Sequence, residues 1–295
     1  MATKYIAPAP TGNNSNAGTL ASPWLTLAYA YTNTSAGDTI YFLPGTHTWL
    51  TATMTNRTFQ GASALTTFVN AGSYAAKVRW LLGGTFIVND LTFTMNGRDD
   101  NDATSSLLSD TGTSSVITFN RCIFTDLVVG GPFANSQTGS AGIFASVDAS
   151  TCQLTFNACL FYNIRHNSVS IASYLVTCHN VAPGGGAGIL NLKNCTIYLN
   201  ASGANKLSYV FGTWSAHIGV PILTNCIIEN ASGGTMTWQS STSGNPTLSY
   251  CDYYLMTGTV SASNSITTSP QLVDPLNANF RLRPTSPCID TGTVV

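Results

Sequence analysis

Short runs of alternating hydrophobic and polar residues recur along the chain and carry its main structural signal. One run reads ITFNRCIF over residues 117–124, and later runs in the same frame read FNACLF, LKNCTI, LTNCII and LSYCDY. Alternation over four to eight residues is typical of half-buried β-strands. The stretches between the runs show no helical periodicity, which argues against a βαβ architecture.

The runs share one aligned position, and they recur at intervals of 25 to 37 residues. A repeat of about 20–50 residues indicates a solenoid, a propeller or an array. Because strands of constant length alternate with inserts of variable length, we predict a β-solenoid in which aligned residues of successive coils stack as an inward ladder. The predicted core ladder is Leu91, Cys122, Cys159, Cys195, Cys226 and Cys251.

Asparagines stand just before four of these cysteines. Asparagine amides can bond to one another along a solenoid axis, and asparagine tolerates the left-handed backbone of a sharp corner. We therefore predict a second ladder at the coil corner, made of Asn120, Asn157, Asn194 and Asn225.

The eight cysteines admit more than one state. Disulfides would form in an oxidising compartment. Zinc is disfavoured because no cysteine or histidine cluster has zinc-site spacing. Free core thiols are favoured for the ladder, since parallel side chains suit packing better than the dihedral of about 90° that a disulfide needs. Disulfide formation by the other cysteines is left open.

Both ends of the chain resemble a known family. The stretches GNNSNAGTLASPWLTLAYA, AGDTIYFLPGTH and SPQLVDPLNANFRLRPTSPCIDTGT resemble the end modules of right-handed parallel β-helix proteins of the pectate-lyase-like superfamily, in particular its chondroitinase-B-like branch. The resemblance implies an all-β, right-handed parallel β-helix in a single domain, residues 1–295. Residues 1–50 would form the N-terminal cap and first coil, residues 51–262 the central coils, and residues 263–295 the C-terminal cap.

The N-terminal cap is predicted to contain a short helix. Ser22 would be its N-cap and Pro23 its first residue. Trp24 and Leu27 would lie on one helical stripe and cover the open end of the first coil.

Composition narrows the class of function. Charged residues make up 8% of the chain, against about 25% in a typical domain, and the net charge is −1. No basic field is available for nucleic acid, and no apolar run is long enough to insert into a membrane. No signal peptide is visible in the first residues. A surface of Ser, Thr, Asn and Gly is typical of an extracellular setting.

The best basic cluster is Arg165, His166 and Lys193. In the resembled family, a basic residue abstracts a proton beside a uronate carboxylate, which calcium or arginine neutralises. These three residues are therefore the catalytic candidates if the protein is a lyase. The acidic calcium-binding triad of that family has no counterpart here, and Glu229 is the sole glutamate.

The acidic loop GRDDND is the candidate metal site. Asp99, Asp100 and Asp102 could hold calcium through carboxylate oxygens, or could simply form a solvated loop. The adjacent pair would also suit a hydrolase. Calcium is the one candidate metal ion, and no other cofactor is expected.

Two tryptophans, Trp214 and Trp238, occur in polar inserts. Exposed aromatic rings among Ser, Thr and Asn could stack on a glycan or contact a neighbouring subunit. Packing of the insert against the solenoid is the alternative.

The leading hypothesis is a non-enzymatic structural or adhesive protein on a virion surface or outside the cell. Many thiols without an export signal fit synthesis in a reducing cytoplasm and release on lysis, as for a capsid-decorating or tail-associated phage protein. Its partners would be other virion or surface subunits and a polysaccharide, and a homotrimer is compatible with this arrangement. The alternative is a polysaccharide lyase or glycoside hydrolase acting on an acidic polysaccharide. A secreted cell-surface adhesin is a third option.

Overall fold

The computed structural model describes residues 1–48, 52–70, 80–94, 106–110, 115–129, 142–145, 152–166, 174–177, 189–201, 207, 209–212, 220–233, 236–239 and 245–294. Within these ranges no helix is long and apolar enough to cross a membrane.

Three parallel sheets run along the molecule, and the chain passes through them in turn once per coil. The prediction of an all-β, right-handed parallel β-helix is confirmed. Sheet A contains β1 Thr3–Ile6, β2 Thr39–Phe42, β5 Thr58–Gly61, β8 Thr85–Asn89, β11 Val116–Asn120, β14 Gln153–Asn157, β17 Ile189–Lys193, β20 Ile222–Thr224, β23 Thr247–Ser249 and β26 Ser261–Ser263. Sheet B contains β3 Gly45–Thr48, β6 Thr67–Asn70, β9 Thr92–Thr94, β12 Ile123–Val129, β15 Leu160–His166, β18 Thr196–Leu199, β21 Ile227–Asn230 and β24 Asp252–Tyr254. Sheet C contains β4 Ala52–Thr55, β7 Trp80–Gly83, β10 Ser106–Asp110, β13 Gly142–Ala145, β16 Tyr174–Thr177, β19 Tyr209–Gly212, β22 Met236–Gln239 and β25 Met256–Thr257.

The alternating sequence runs place one set of side chains inside the solenoid. In β8, β11, β14 and β17 the second and fourth residues are buried. Phe119 stacks on Phe156 of the next coil, with ring centroids 5.1 Å apart, and Phe124 stacks on Phe161 at 4.9 Å. The core is therefore a set of columns along the axis, in which each ring covers its counterpart in the coil before it.

The six predicted ladder residues occupy one such column, and each is at most 2% exposed. The amide after each ladder residue donates to the ladder carbonyl of the preceding coil, as from Leu160 to Cys122 and from Thr196 to Cys159, both at 2.9 Å. The five ladder cysteines are free thiols. Burial raises the pKa of the Cys159 and Cys226 thiols and keeps them protonated.

The predicted asparagine ladder is in fact two ladders, offset by one residue. Asn120 and Asn157 end their sheet A strands, and the Asn157 Nδ2 donates to the Asn120 Oδ1 at 2.8 Å. Asn194 and Asn225 lie at the next position, the corner between sheets A and B, where φ is 54°. The Asn225 Nδ2 donates to the Asn194 Oδ1 at 3.1 Å. The prediction grouped asparagines by closeness to cysteine, but backbone register separates the two positions.

Side chains other than asparagine also occupy the left-handed corner. Arg121 and Asp90 are corner residues of neighbouring coils, and the guanidinium donates twice to the carboxylate, both at 2.7 Å. This ion pair lowers the pKa of Asp90. A strained corner is thus stabilised by bonds along the axis as well as by asparagine.

The N-terminal helix α1, Leu27–Thr32, begins later than predicted. Its N-cap is Thr26 and not Ser22, since the Thr26 Oγ1 accepts from the Tyr29 amide at 3.2 Å. Trp24 is extended because its amide donates to the Tyr5 carbonyl at 2.9 Å. Trp24 and Leu27 are nevertheless buried and belong to the core cluster, at the end where the solenoid begins.

The C-terminal segment, defined here as residues 270–294, lies along the outer face of sheet B. It contains the antiparallel pair β27 Leu272–Asp274 and β28 Asn279–Leu282, joined by a 3-10 turn at Pro275–Asn277. Its last residues reach the corner of the solenoid, where the Thr293 amide donates to the Asn225 Oδ1 at 2.8 Å.

Candidate functional site

The outward-facing residues of sheet B form two columns along the axis. One column passes through Phe68 and Thr92, and the other through Thr94, Thr125 and Tyr162. Small threonines thus stand between two aromatic side chains that lie three coils apart. Adjacent strands are about 4.8 Å apart, so this separation is roughly 14 Å along the axis. The difference in side-chain size creates a depression in the sheet.

This depression is a groove of about 460 Å³, which we call the sheet B groove. Thr92, Thr94 and Thr125 form its floor and are nearly buried, while Phe68 and Tyr162 are half-buried at its two ends. Aromatic rings offer an apolar face to a ligand, and hydroxyls offer hydrogen bonds beside it. That combination suits a sugar ring, which has apolar C–H faces and polar edges.

Asp126 provides the charge in the groove. It adopts a left-handed conformation inside β12, with φ of 53°. Its Oδ1 accepts from the Asn163 Nδ2 at 3.2 Å, and the Asn163 Oδ1 accepts from the Asn200 Nδ2 at 2.6 Å. Its Oδ2 accepts from the Thr125 Oγ1 at 3.3 Å. The carboxylate is therefore held in place by a short polar ladder, while the residue stays exposed.

The C-terminal segment borders the groove at the Tyr162 end. Phe280 of β28 packs against Tyr162 and Tyr198, with ring centroids 5.0 and 5.7 Å away. These contacts are between outward side chains of sheet B and a strand laid over them. They fix the Tyr162 ring, and so they shape the groove.

Further along the same face, the C-terminal segment covers an acidic cluster. The Cys288 Sγ donates to the Asp252 Oδ2 at 2.9 Å, and the Asp252 Oδ1 is buried without a partner among the described residues. Burial raises the pKa of Asp252 to about 6, although the Cys288 thiol and the Tyr253 amide oppose the shift. Burial, followed by the charge of Asp252, raises the pKa of Glu229. Burial and the neighbouring carboxylate raise the pKa of Cys288 to about 12.

The two carboxylates, Glu229 and Asp252, are the kind of perturbed pair that can serve acid–base chemistry. However, Asp252 is only 4% exposed, because the C-terminal segment lies over it. In the described part of the chain, no group of three or more His, Cys, Asp or Glu side chains is arranged to hold a metal. The cluster as it stands is closed to a polymeric substrate.

The three lyase candidates lie on two sheets, with Lys193 in sheet A and Arg165 and His166 in sheet B. Arg165 is exposed near the end of β15, and His166 is the last residue of that strand. Lys193 ends β17 and is paired in register with Asn157, before the corner that leads into β15. Arg165 stands eight residues after Asn157, which at about 3.3 Å per residue is a backbone path of about 26 Å. The hypothesis of a basic cluster stays a prediction, and its members are joined through the corner between sheets A and B.

The interpretation of Trp238 as an exposed insert residue is wrong. It lies in β22, is 1% exposed and stacks on Phe211 of the preceding coil at 6.2 Å. An inward position of sheet C explains this, and no ring face is left for a glycan. Trp214 and the calcium candidates Asp99, Asp100 and Asp102 lie outside the described residues.

Sequence reasoning missed the sites on sheet B, although a signal was present. Asp252 directly follows the ladder residue Cys251, and Glu229 stands three residues after Cys226. Both offsets point outward from sheet B, as do Thr125 and Tyr162 at the same offset as Glu229. Projecting every repeat onto one coil would have collected these residues. No sequence signal indicated that the C-terminal segment packs over these outward residues of sheet B.

The fold and the groove define a right-handed parallel β-helix with an open aromatic groove on one outer face. No protein-family profile and no curated protein matches the chain. Among solved structures, pectate lyase Pel9A is 12% identical, with a TM-score of 0.47, over 100% of this chain and 92% of its own. A rhamnogalacturonan lyase is 13% identical, with a TM-score of 0.36, over 92% and 91% of the two chains. Pectin methylesterase PemA from Erwinia chrysanthemi is 12% identical, with a TM-score of 0.36, over 86% and 80%. The fold assignment rests on the sheet topology, and these similarities carry no information on activity.

Proposed function

We propose that the protein is a non-enzymatic adhesive surface protein that binds a polysaccharide in the sheet B groove. The observation that carries this proposal is the groove itself, in which threonine hydroxyls lie between Phe68 and Tyr162. Binding needs only such a surface, whereas catalysis needs reacting groups held together in an accessible cleft.

We propose that this adhesion takes place on a virion, where the protein would be a capsid-decorating or tail-associated subunit. Its support is the low charge of the chain and the free thiols of the five ladder cysteines. Immunogold labelling of particles released by lysis of the source cells tests it. Label on the particle surface is expected, and label confined to cell debris or to the culture supernatant contradicts it.

A second candidate, hydrolysis of an acidic polysaccharide, is favoured by one observation. Glu229 and Asp252 lie within electrostatic range of each other and both have a raised pKa. A carboxylic acid with a raised pKa can act as a general acid. Against this, Asp252 is covered by Cys288 and the C-terminal segment.

The two candidates are separated by one pair of measurements on the purified protein. Binding to a panel of polysaccharides is measured first, and the recovered polymers are then analysed for new reducing ends and unsaturated uronates, with and without calcium. Saturable binding without products is expected. Turnover that is lost in Glu229→Gln would establish the hydrolase, and turnover lost in Arg165→Ala or Lys193→Ala would establish a lyase.

A further inference from the structure

We propose that the sheet B groove selects glycans built from uncharged sugars and rejects uronates. This inference rests on the proposed function and specifies its ligand class. It follows from the charge of the lining residues and from the way in which the one carboxylate is fixed.

The groove has an electrostatic bias against anions. Asp126 is charged, and none of the other described residues that line the groove is a lysine, arginine or histidine. Arg121 precedes β12 and is engaged with Asp90 in two bonds of 2.7 Å, and Arg165 of β15, which is paired in register with Val128, does not line the groove. A uronate in the groove would therefore meet a like charge, with no neutralising cation among the described lining residues. Partial screening still leaves a like-charge contact costly enough for about a tenfold loss of affinity.

Asp126 is instead suited to accept hydrogen bonds from sugar hydroxyls. Each of its oxygens accepts one bond from the protein, from Asn163 or from Thr125, and a carboxylate oxygen can accept more than one. Because these bonds fix the carboxylate beforehand, a ligand hydroxyl does not have to order it. The groove therefore has a hydrogen-bond acceptor, Asp126, at its rim, hydroxyls on its floor and an aromatic ring at each end.

The test compares three classes of hexasaccharide by isothermal titration with the full-length protein. The uncharged class contains glucose, mannose, galactose and N-acetylglucosamine oligomers, the anionic probe is a galacturonate oligomer, and the cationic probe is a glucosamine oligomer. We expect at least one uncharged oligomer to bind, about tenfold more tightly than the galacturonate oligomer. Phe68→Ala should weaken that binding about tenfold by removing one ring face.

Two further variants control the interpretation. Tyr254→Ala removes an aromatic side chain from the Tyr162 column of sheet B, beyond the groove, and should leave the affinity unchanged. Asp126→Asn is isosteric, and asparagine tolerates the left-handed backbone found there. It should weaken binding of the uncharged oligomer, because one acceptor oxygen is lost, and should weaken binding of galacturonate less, so that the discrimination against galacturonate falls.

The outcomes separate the two proposals. If no oligosaccharide of any class binds, or if Phe68→Ala changes nothing, the sheet B groove is not a glycan site and the proposed function fails. If galacturonate binds as tightly as the uncharged oligomers, the proposed function stands and the inference about ligand class is overturned. Preferential binding of the glucosamine oligomer, lost in Asp126→Asn, would also overturn it.

Discussion

Replacing Asp252 with asparagine should stabilise the protein near neutral pH and leave its stability near pH 3 unchanged. The pKa of Asp252 is raised from 3.8 to about 6 in the folded protein, chiefly because the C-terminal segment buries it. Because the folded-state pKa of Asp252 is above its unfolded value, the stability that protonated Asp252 contributes is fully present below the unfolded pKa. It is lost as the pH rises from about 4 through about 6. A difference of two pKa units corresponds to about 3 kcal/mol, and residual solvation reduces this to about 2 kcal/mol.

The assay is thermal unfolding of the wild type and Asp252→Asn near pH 3 and near pH 7. The variant should gain about 2 kcal/mol near pH 7, which for a chain of this size raises the Tm by about 4 °C. Asp38→Asn is the control, and its effect on stability should have the opposite sign, because hydrogen bonds from the backbone amides of Ala2 and Ser35 lower the pKa of Asp38. That variant should lose stability near pH 7. If Asp252→Asn destabilises the protein near pH 7, or if its gain is the same at both pH values, Asp252 is not a buried, unneutralised carboxylate.

Three further predictions concern packing. Cys159→Ser should cost about 1–3 kcal/mol in urea unfolding, since it places a hydroxyl in an apolar column; no loss would show that the column is not apolar. Trp24→Ala should cost about 3–5 kcal/mol by opening the N-terminal cap, and an unchanged melting temperature would show that the cap does not stabilise the solenoid. Phe280→Ala should release the C-terminal segment from Tyr162 and Tyr198, and limited proteolysis should then cut within residues 270–294 several-fold faster than in the wild type. Equal cleavage rates would show that the ring contacts do not hold the segment.

The repeat frame could be predicted from sequence because a solenoid is built from local rules. Each coil repeats the same alternation, so aligning the cysteines also places Phe119 against Phe156 and Cys122 against Cys159 of the next coil. Once the strands of successive coils are in register, each core side chain contacts its counterpart in the next coil, and no other long-range contact is needed to predict the core. For the same reason the β-solenoid was predictable from the repeats alone, while its handedness came from the resemblance of the chain ends to a known family.

The candidate site was less predictable because it depends on contacts outside that frame. The Phe280 contact with Tyr162 joins residues that are far apart in sequence and have no repeat relation. Trp238 was misassigned because β22 lies among polar residues that hide its alternation. Lys193 and Arg165 lie on different sheets because the corner between sheets A and B comes between their positions in the coil. The sequence repeats did not reveal this corner.

The most direct test of the central claim is one titration of the protein with an uncharged hexasaccharide that it binds, followed by analysis of the recovered sugar. The account predicts saturable binding that weakens about tenfold in Phe68→Ala and is unchanged in Tyr254→Ala, with the hexasaccharide recovered intact. Binding that is insensitive to Phe68→Ala, or a hexasaccharide recovered as shorter products, would contradict it.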